Sequence, residues 1–258
     1  MATALVRGFI DAGLYEPRKI CAGDVDAAQR TAMKRRLGIA TTSDNVAMVK
    51  SAKVIVLAVK PQIIDAVLAE LQPVVRRDHV FISIAAGVPT RRLEDRLGSR
   101  ARVVRVMPNT PALLGEGMAV AVRGRFATAA DEKLALGLLR AVGKARAVAD
   151  EGLLDAVTGL SGSGPAYVYL FAEALIEGGR AAGLKLELAE ELALQTISGA
   201  AAMLQRAGET PQRLREMVTS PGGTTLAGLS ELDRRGFREA VSAAVVVASR
   251  RSEELGRD

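Results

Sequence analysis

The sequence predicts an α/β fold: a doubly wound, mostly parallel sheet followed by an all-helical C-terminal domain. Over residues 1–150, short and almost wholly apolar runs rich in β-branched residues alternate with segments of helical period. That is the pattern of parallel strands covered by helices on both faces. Beyond about residue 150 the strand signal fades, and helical segments joined by glycine-bearing turns take over. The expected domains are therefore 1–150 and 151–258.

Three runs carry the strand reading: Val54-Ile55-Val56-Leu57-Ala58-Val59, Val80-Phe81-Ile82-Ser83-Ile84 and Val103-Val104-Arg105-Val106-Met107. Lys19-Ile20-Cys21-Ala22 is a weaker fourth. Between them, 1–12, 26–37, 44–52, 63–71 and 90–97 have helical spacing. In such sheets ligands bind beyond the carboxyl ends of the strands. The segments that follow the three strong runs are Lys60-Pro61-Gln62, Ala85-Ala86-Gly87-Val88-Pro89 and Pro108-Asn109-Thr110-Pro111. All are built of turn formers and small residues over which a nucleotide could lie, so the first domain reads as Rossmann-like. A dinucleotide fold begins with a strand and a Gly-x-Gly-x-x-Gly turn, but here Met1, Leu5 and Phe9 already share a helical face. The expectation is a start codon upstream of Met1 or a truncated sequence, because a sheet without that central strand exposes apolar surface.

In the second domain, 153–160, 165–182, 188–207, 211–218, 224–232 and 237–255 are predicted helices. The helix after Ser161-Gly162-Ser163-Gly164 opens on Pro165 and continues with Tyr167, Val168, Tyr169, Leu170 and Phe171. Its charges, Glu173, Glu177 and Arg180, lie along one stripe. A helix apolar around most of its circumference must be buried on several sides, which a second copy supplies most easily. A homodimer is the expected minimum.

Composition excludes several functions. With one cysteine and one histidine in 258 residues, a disulfide framework, a Cys or His metal cluster and a Ser-His-Asp triad are disfavoured, and no metal is expected. A reducing cytoplasm is the natural setting. The net charge of +6 is spread over scattered basic pairs, and with 3% aromatics there is little on which to stack bases. Nucleic-acid binding is not expected. Neither is membrane insertion, since no segment approaches about 20 uninterrupted apolar residues and no signal-peptide layout is present.

Thr219-Ser220-Pro221-Gly222-Gly223-Thr224-Thr225 precedes Leu226, Leu229 and Leu232, which lie on one helical face. A glycine-rich loop opening a helix offers unpartnered N–H groups and the positive end of the helix dipole, a setting for a carboxylate or phosphate. The alternative is an ordinary helix capped by Ser220 or Thr224.

Five blocks resemble the signature motifs of the pyrroline-5-carboxylate reductase family: Ala58-Val59-Lys60-Pro61, Ser83-Ile84-Ala85-Ala86-Gly87, Arg105-Val106-Met107-Pro108-Asn109-Thr110-Pro111, Leu160-Ser161-Gly162-Ser163-Gly164-Pro165-Ala166-Tyr167 and Ser220-Pro221-Gly222-Gly223-Thr224-Thr225. They span nearly the whole chain, in the family's order. The resemblance implies reduction of 1-pyrroline-5-carboxylate to L-proline with NADPH or NADH, in dimers that often assemble further, commonly as five dimers in a decamer. It implies that Ser220, Gly222, Gly223, Thr224 and Thr225 hold the substrate, with the Thr225 hydroxyl near the ring nitrogen, and that Glu151 lines the same pocket. It also implies a cofactor surface of Asn45, Ala58, Val59, Lys60, Pro61, Ala85, Ala86, Gly87 and Asn109. The shortage of histidine suits this chemistry, because a protonated imine carbon accepts hydride without a strong protein acid.

Cofactor choice stays open at this level. Asp24 stands where a carboxylate accepts the ribose hydroxyls of NADH and repels the 2′-phosphate of NADPH, whereas Arg30 and Lys34-Arg35-Arg36 could offset that repulsion. Two other functions compete. A related imine or hydroxyacid reductase would carry a catalytic Lys or His on the helix from Pro165, which has neither. A non-catalytic relative that lost the cofactor loop would have no need of the Ser220–Thr225 anion site.

Overall fold

The computed structural model describes residues 1–98 and 100–257. Its strands are β1 (Cys21–Gly23), β2 (Ala40–Thr42), β3 (Val54–Leu57), β4 (Val80–Ser83), β5 (Arg102–Met107), β6 (Gly117–Arg123) and β7 (Gly143–Ala147). Five of them form a sheet in the order β3-β4-β5-β6-β7, parallel except where β5 meets β6. β1 and β2 form a separate parallel pair. The strong runs are strands as predicted, although Ala58-Val59 already belongs to the loop after β3. Three strands were not legible. β6 alternates Ala with Val, and Ala is a poor strand former, so its pairing with β5 and β7 decides its state. β7 buries Ala145 alone, and β2 is only three residues long, so neither has a periodic apolar signal.

The helices flanking the sheet are α1 (Ala2–Asp11), α2 (Ala27–Leu37), α3 (Asn45–Ser51), α4 (Ile64–Leu71), α5 (Thr90–Leu97) and α6 (Ala129–Leu139). On one face, Val80, Ile82, Val104, Val106 and Ala121 pack with Leu5 and Phe9 of α1 and with Ala135, Leu138 and Leu139 of α6. On the other, Ile55, Leu57, Phe81 and Val103 pack with Ile64, Leu68 and Leu71 of α4 and with Leu93 and Leu97 of α5. Each Val, Leu, Ile or Phe among them removed from water is worth about 1.5–3 kcal/mol, so double coverage of the sheet is the main stabilising feature. The sequence reading passed over α6, yet its start carries a capping box: Thr128 and Asp131 exchange side-chain and backbone hydrogen bonds.

After β7, α7 (Leu153–Val157) runs into a wide π turn, Thr158–Gly162, rather than continuing as the single predicted helix. The Ser163 N–H donates to the Thr158 carbonyl at 2.8 Å and closes that turn. A Cβ on Gly162 would stand 2.4 Å from the terminal carbon of Met107, so the flexible end of that side chain would have to move aside. The remaining helices are α8 (Gly164–Ala181), α9 (Leu186–Arg206), α10 (Pro211–Met217), α11 (Thr224–Arg234) and α12 (Phe237–Arg257). The chain forms two compact units, one of Met1–Ser163 with Val246–Asp258, the other Gly164–Val245. α12 thus begins in the second unit and ends in the first.

Candidate functional site

Because β3, β4 and β5 are mutually parallel, the loops that follow them emerge along one edge of the sheet. Lys60 is exposed at the end of the first, and Ala58, Val59 and Pro61 around it are half-buried. In the second, Ala85 and Gly87 are buried and Ala86 alone is exposed. Gly87 takes φ +72°, a left-handed conformation open to glycine at little cost. Two residues assigned to the cofactor surface have their side chains engaged elsewhere. The Asn45 Nδ2 donates to Glu70 at 3.0 Å. Asn109 donates through Nδ2 to the Ser161 carbonyl at 3.2 Å and accepts the Met118 N–H at 2.8 Å, bracing the π turn against β6.

Beyond the end of β1, Asp24 accepts the Asp26 N–H at 2.9 Å. Arg30, one turn into α2, folds back and donates to the carbonyls of Asp24 and Val25 at 2.8 and 2.9 Å. A carboxylate and a guanidinium therefore stand together beyond the end of β1. With small residues and one exposed ammonium along the sheet edge, this donor set fits a dinucleotide.

Glu151 is held by residues of two other elements of the first unit. Its Oε1 accepts the Thr90 N–H at 2.8 Å and an Arg105 guanidinium N–H at 2.9 Å, while its Oε2 accepts the Thr90 hydroxyl at 2.6 Å. Thr90 and Arg105 are buried. Sequence reasoning had no role for either, though a lone arginine inside an apolar strand run was the available signal, since a buried guanidinium needs an acceptor. One turn along α5, Glu94 is also buried. Desolvation raises its carboxyl above the ordinary value, opposed by the backbone N–H groups of Phe126 and Arg125.

In the second unit, α11 begins at Gly223 with no side-chain cap, so neither Ser220 nor Thr224 satisfies its first turn. The loop before it is shaped locally. The Gly223 N–H donates to the Ser220 carbonyl at 3.0 Å, and Gly222 takes φ +69°. Thr225 is half-buried in the first turn of α11, and among the described residues its hydroxyl has no hydrogen-bond partner within the chain. Open amides, a positive helix end and an uncommitted hydroxyl are groups that could hold an anion with an adjacent basic nitrogen.

Residues 151–255 match the family described as pyrroline-5-carboxylate reductase dimerisation, and residues 1–87 match the one described as coenzyme F420-dependent NADP oxidoreductase. A pyrroline-5-carboxylate reductase of Arabidopsis thaliana is 42% identical over 257 residues, 100% of this chain and 92% of the relative. The chain belongs to the pyrroline-5-carboxylate reductase family. Solved pyrroline-5-carboxylate reductases share its fold. That of Coxiella burnetii has a TM-score of 0.91 at 38% identity, covering 98% of this chain and 94% of that one. The Plasmodium falciparum enzyme, solved with NADP bound, has a TM-score of 0.88 at 33% identity, covering 98% and 94%. The helical region is thus the family's dimerisation domain. No helix among the described residues is long and apolar enough to cross a membrane.

Proposed function

We propose that this chain is a pyrroline-5-carboxylate reductase, converting 1-pyrroline-5-carboxylate to L-proline with NADPH or NADH at the end of proline synthesis. The observation that carries the reading is the uncapped start of α11, with the free Thr225 hydroxyl beside it, in a chain similar along its whole length to reductases of this name. The first-turn amides of α11, with Ser220, Gly222, Gly223 and Thr224, hold the substrate carboxylate. The Thr225 hydroxyl hydrogen-bonds the ring nitrogen and passes a proton as the imine becomes an amine. A bound nicotinamide supplies hydride to the imine carbon. Ala58, Val59, Lys60, Pro61, Ala85, Ala86 and Gly87 position it along the sheet edge, Asn45 and Asn109 contributing through their backbone because their side-chain amides are engaged.

Asp24 and Arg30 set the cofactor choice. The Arg30 guanidinium, held against the Asp24 carbonyl, offsets the repulsion between Asp24 and a 2′-phosphate, so both cofactors are used. The chain pairs through its helical domain as a homodimer, and five dimers form a decamer in the cytoplasm. Support for pairing comes from the apolar residues that α8 leaves exposed: Val168, Tyr169, Leu170 and Phe171.

Initial rates of NADPH and NADH oxidation with 1-pyrroline-5-carboxylate test the function. Turnover dependent on the substrate is the expected outcome, with Arg30→Ala lowering the NADPH-to-NADH ratio of kcat/KM. A chain that binds cofactor yet never oxidises it with this substrate would overturn the reading.

A further inference from the structure

We infer that Glu151 is a positioning residue for the cofactor loop and not a substrate ligand. Its carboxylate fixes where residues 85–89 leave the sheet edge. The inference rests on the reading, proposed above, that residues 85–87 line the cofactor.

α5 opens without a cap of its own, since its N-cap residue is Pro89 and no side chain from the loop accepts its first amides. Glu151, 61 residues further along the chain, supplies the missing acceptor, taking the Thr90 N–H and the Thr90 hydroxyl on different oxygens. A carboxylate on the first turn also meets the positive end of the helix dipole. The third donor is Arg105 of β5, whose side chain is 8% exposed. The carboxylate therefore ties the exit of the loop after β4 to the neighbouring strand. With three donors already on its two oxygens, Glu151 has little capacity left for a ligand, and its charge would repel a substrate that is itself a carboxylate.

The same short segment holds the middle of the loop. Gly87 lies against the last turns of α12, where a Cβ on it would meet the Leu255 Cβ at 3.4 Å. Those turns are fastened to α7 by Ser252, which is 5% exposed and donates to Asp155 at 2.7 Å. Glu151 and Asp155, four residues apart, thus anchor the cofactor loop at its exit and, through α12, at its centre. The short loop has no other charged side chain with which to set its own position.

The test combines steady-state kinetics with equilibrium titration of NADPH, followed by nicotinamide fluorescence, on the 258-residue chain. Glu151→Ala should raise the NADPH dissociation constant and KM about 10-fold or more, leaving kcat and the KM for 1-pyrroline-5-carboxylate within about 3-fold. Glu151→Gln keeps an acceptor for the Thr90 N–H, its amide nitrogen donating to the Thr90 hydroxyl, and should recover most of that loss. Because Glu151→Ala strands a buried arginine and can impair folding, Thr90→Val provides a second route. It leaves the Arg105 pair intact and should weaken NADPH binding about 2- to 5-fold. A rise in substrate KM with cofactor binding unchanged would make Glu151 a substrate ligand and overturn the inference. So would variants that bind NADPH as the parent does. A parent chain that neither binds NADPH nor turns over would instead remove the reading on which the inference rests, and the inference with it.

Discussion

The two compact units of this chain are stabilised in different ways. In the first, a five-stranded sheet is covered on both faces, and Phe81, Ile64, Leu68, Leu93 and Leu97 are wholly shielded from water. In the second, the only buried apolar residues among those described are Ala189 and Ala193, while Tyr169 and Leu170 on α8 are 58% and 66% exposed. A bundle with so little interior cannot offset the entropy of ordering its helices within one chain. The first unit is therefore stabilised by its own core, whereas the second, the family's dimerisation domain, leaves most of its apolar surface exposed.

The most disruptive way to break this contrast is Leu170→Asp, which puts a charge in the centre of the exposed α8 face. The expected result is loss of the dimer by light scattering, together with loss of much of the far-UV helical signal. The parent should also melt at temperatures that rise with protein concentration. Phe81→Ala attacks the opposite unit. It should cost about 3–5 kcal/mol in denaturant unfolding, by a decrement that does not change with protein concentration. Thr225→Val separates chemistry from stability: kcat should fall about 100-fold with the melting temperature unchanged, and Thr225→Ser should restore most of the rate.

A smaller effect sharpens the account of the first core. His79 is fully buried, accepts the Arg76 N–H through Nδ1 and packs edge-on to Phe81. Burial holds its pKa below the ordinary 6.5, with Arg76 adding to the shift and Asp78 opposing it. The unfolded chain therefore takes up the proton first. Stability is fully present above pH 6.5 and declines as the pH falls through the depressed folded value. In His79→Leu that decline should be shallower, as read by denaturant midpoints across the acidic range. The smallest effect belongs to Glu231, whose carboxyl is held at about 2 by hydrogen bonds from Arg234 and Arg235. The group is exposed, so Glu231→Gln should leave the melting temperature unchanged despite that large shift.

Legibility followed the same division. The three strong strands could be read because a doubly covered sheet demands continuous apolar runs, and α1, α4 and α5 because each carries a 3.6-residue apolar stripe. β6 and α6 escaped, since alternating Ala and Val, or a helix apolar on several sides, has no contrast between faces. In the site, the glycine-rich opening of α11 was visible from Gly222, Gly223 and the leucine spacing beyond them. Its lack of a cap was not, because Ser220 and Thr224 are both competent capping residues and only their geometry rules them out. Glu151 was singled out but its partners within the chain were not legible, because a position in the chain does not say that Thr90 and Arg105 converge on it from two other elements.

By itself, then, the sequence determined the α/β-then-helical order, the apolar face of α8 and the loop that opens α11, all of which follow from local periodicity and backbone chemistry. Tertiary structure decided what depends on groups distant in the chain. It set the antiparallel turn of β6 between β5 and β7, the π turn braced by Asn109, the pairing of Arg30 with the Asp24 carbonyl and the three donors on Glu151. Hydrogen-bond acceptors in a protein interior are assigned by what lies within about 3 Å, and no spacing along a chain specifies that.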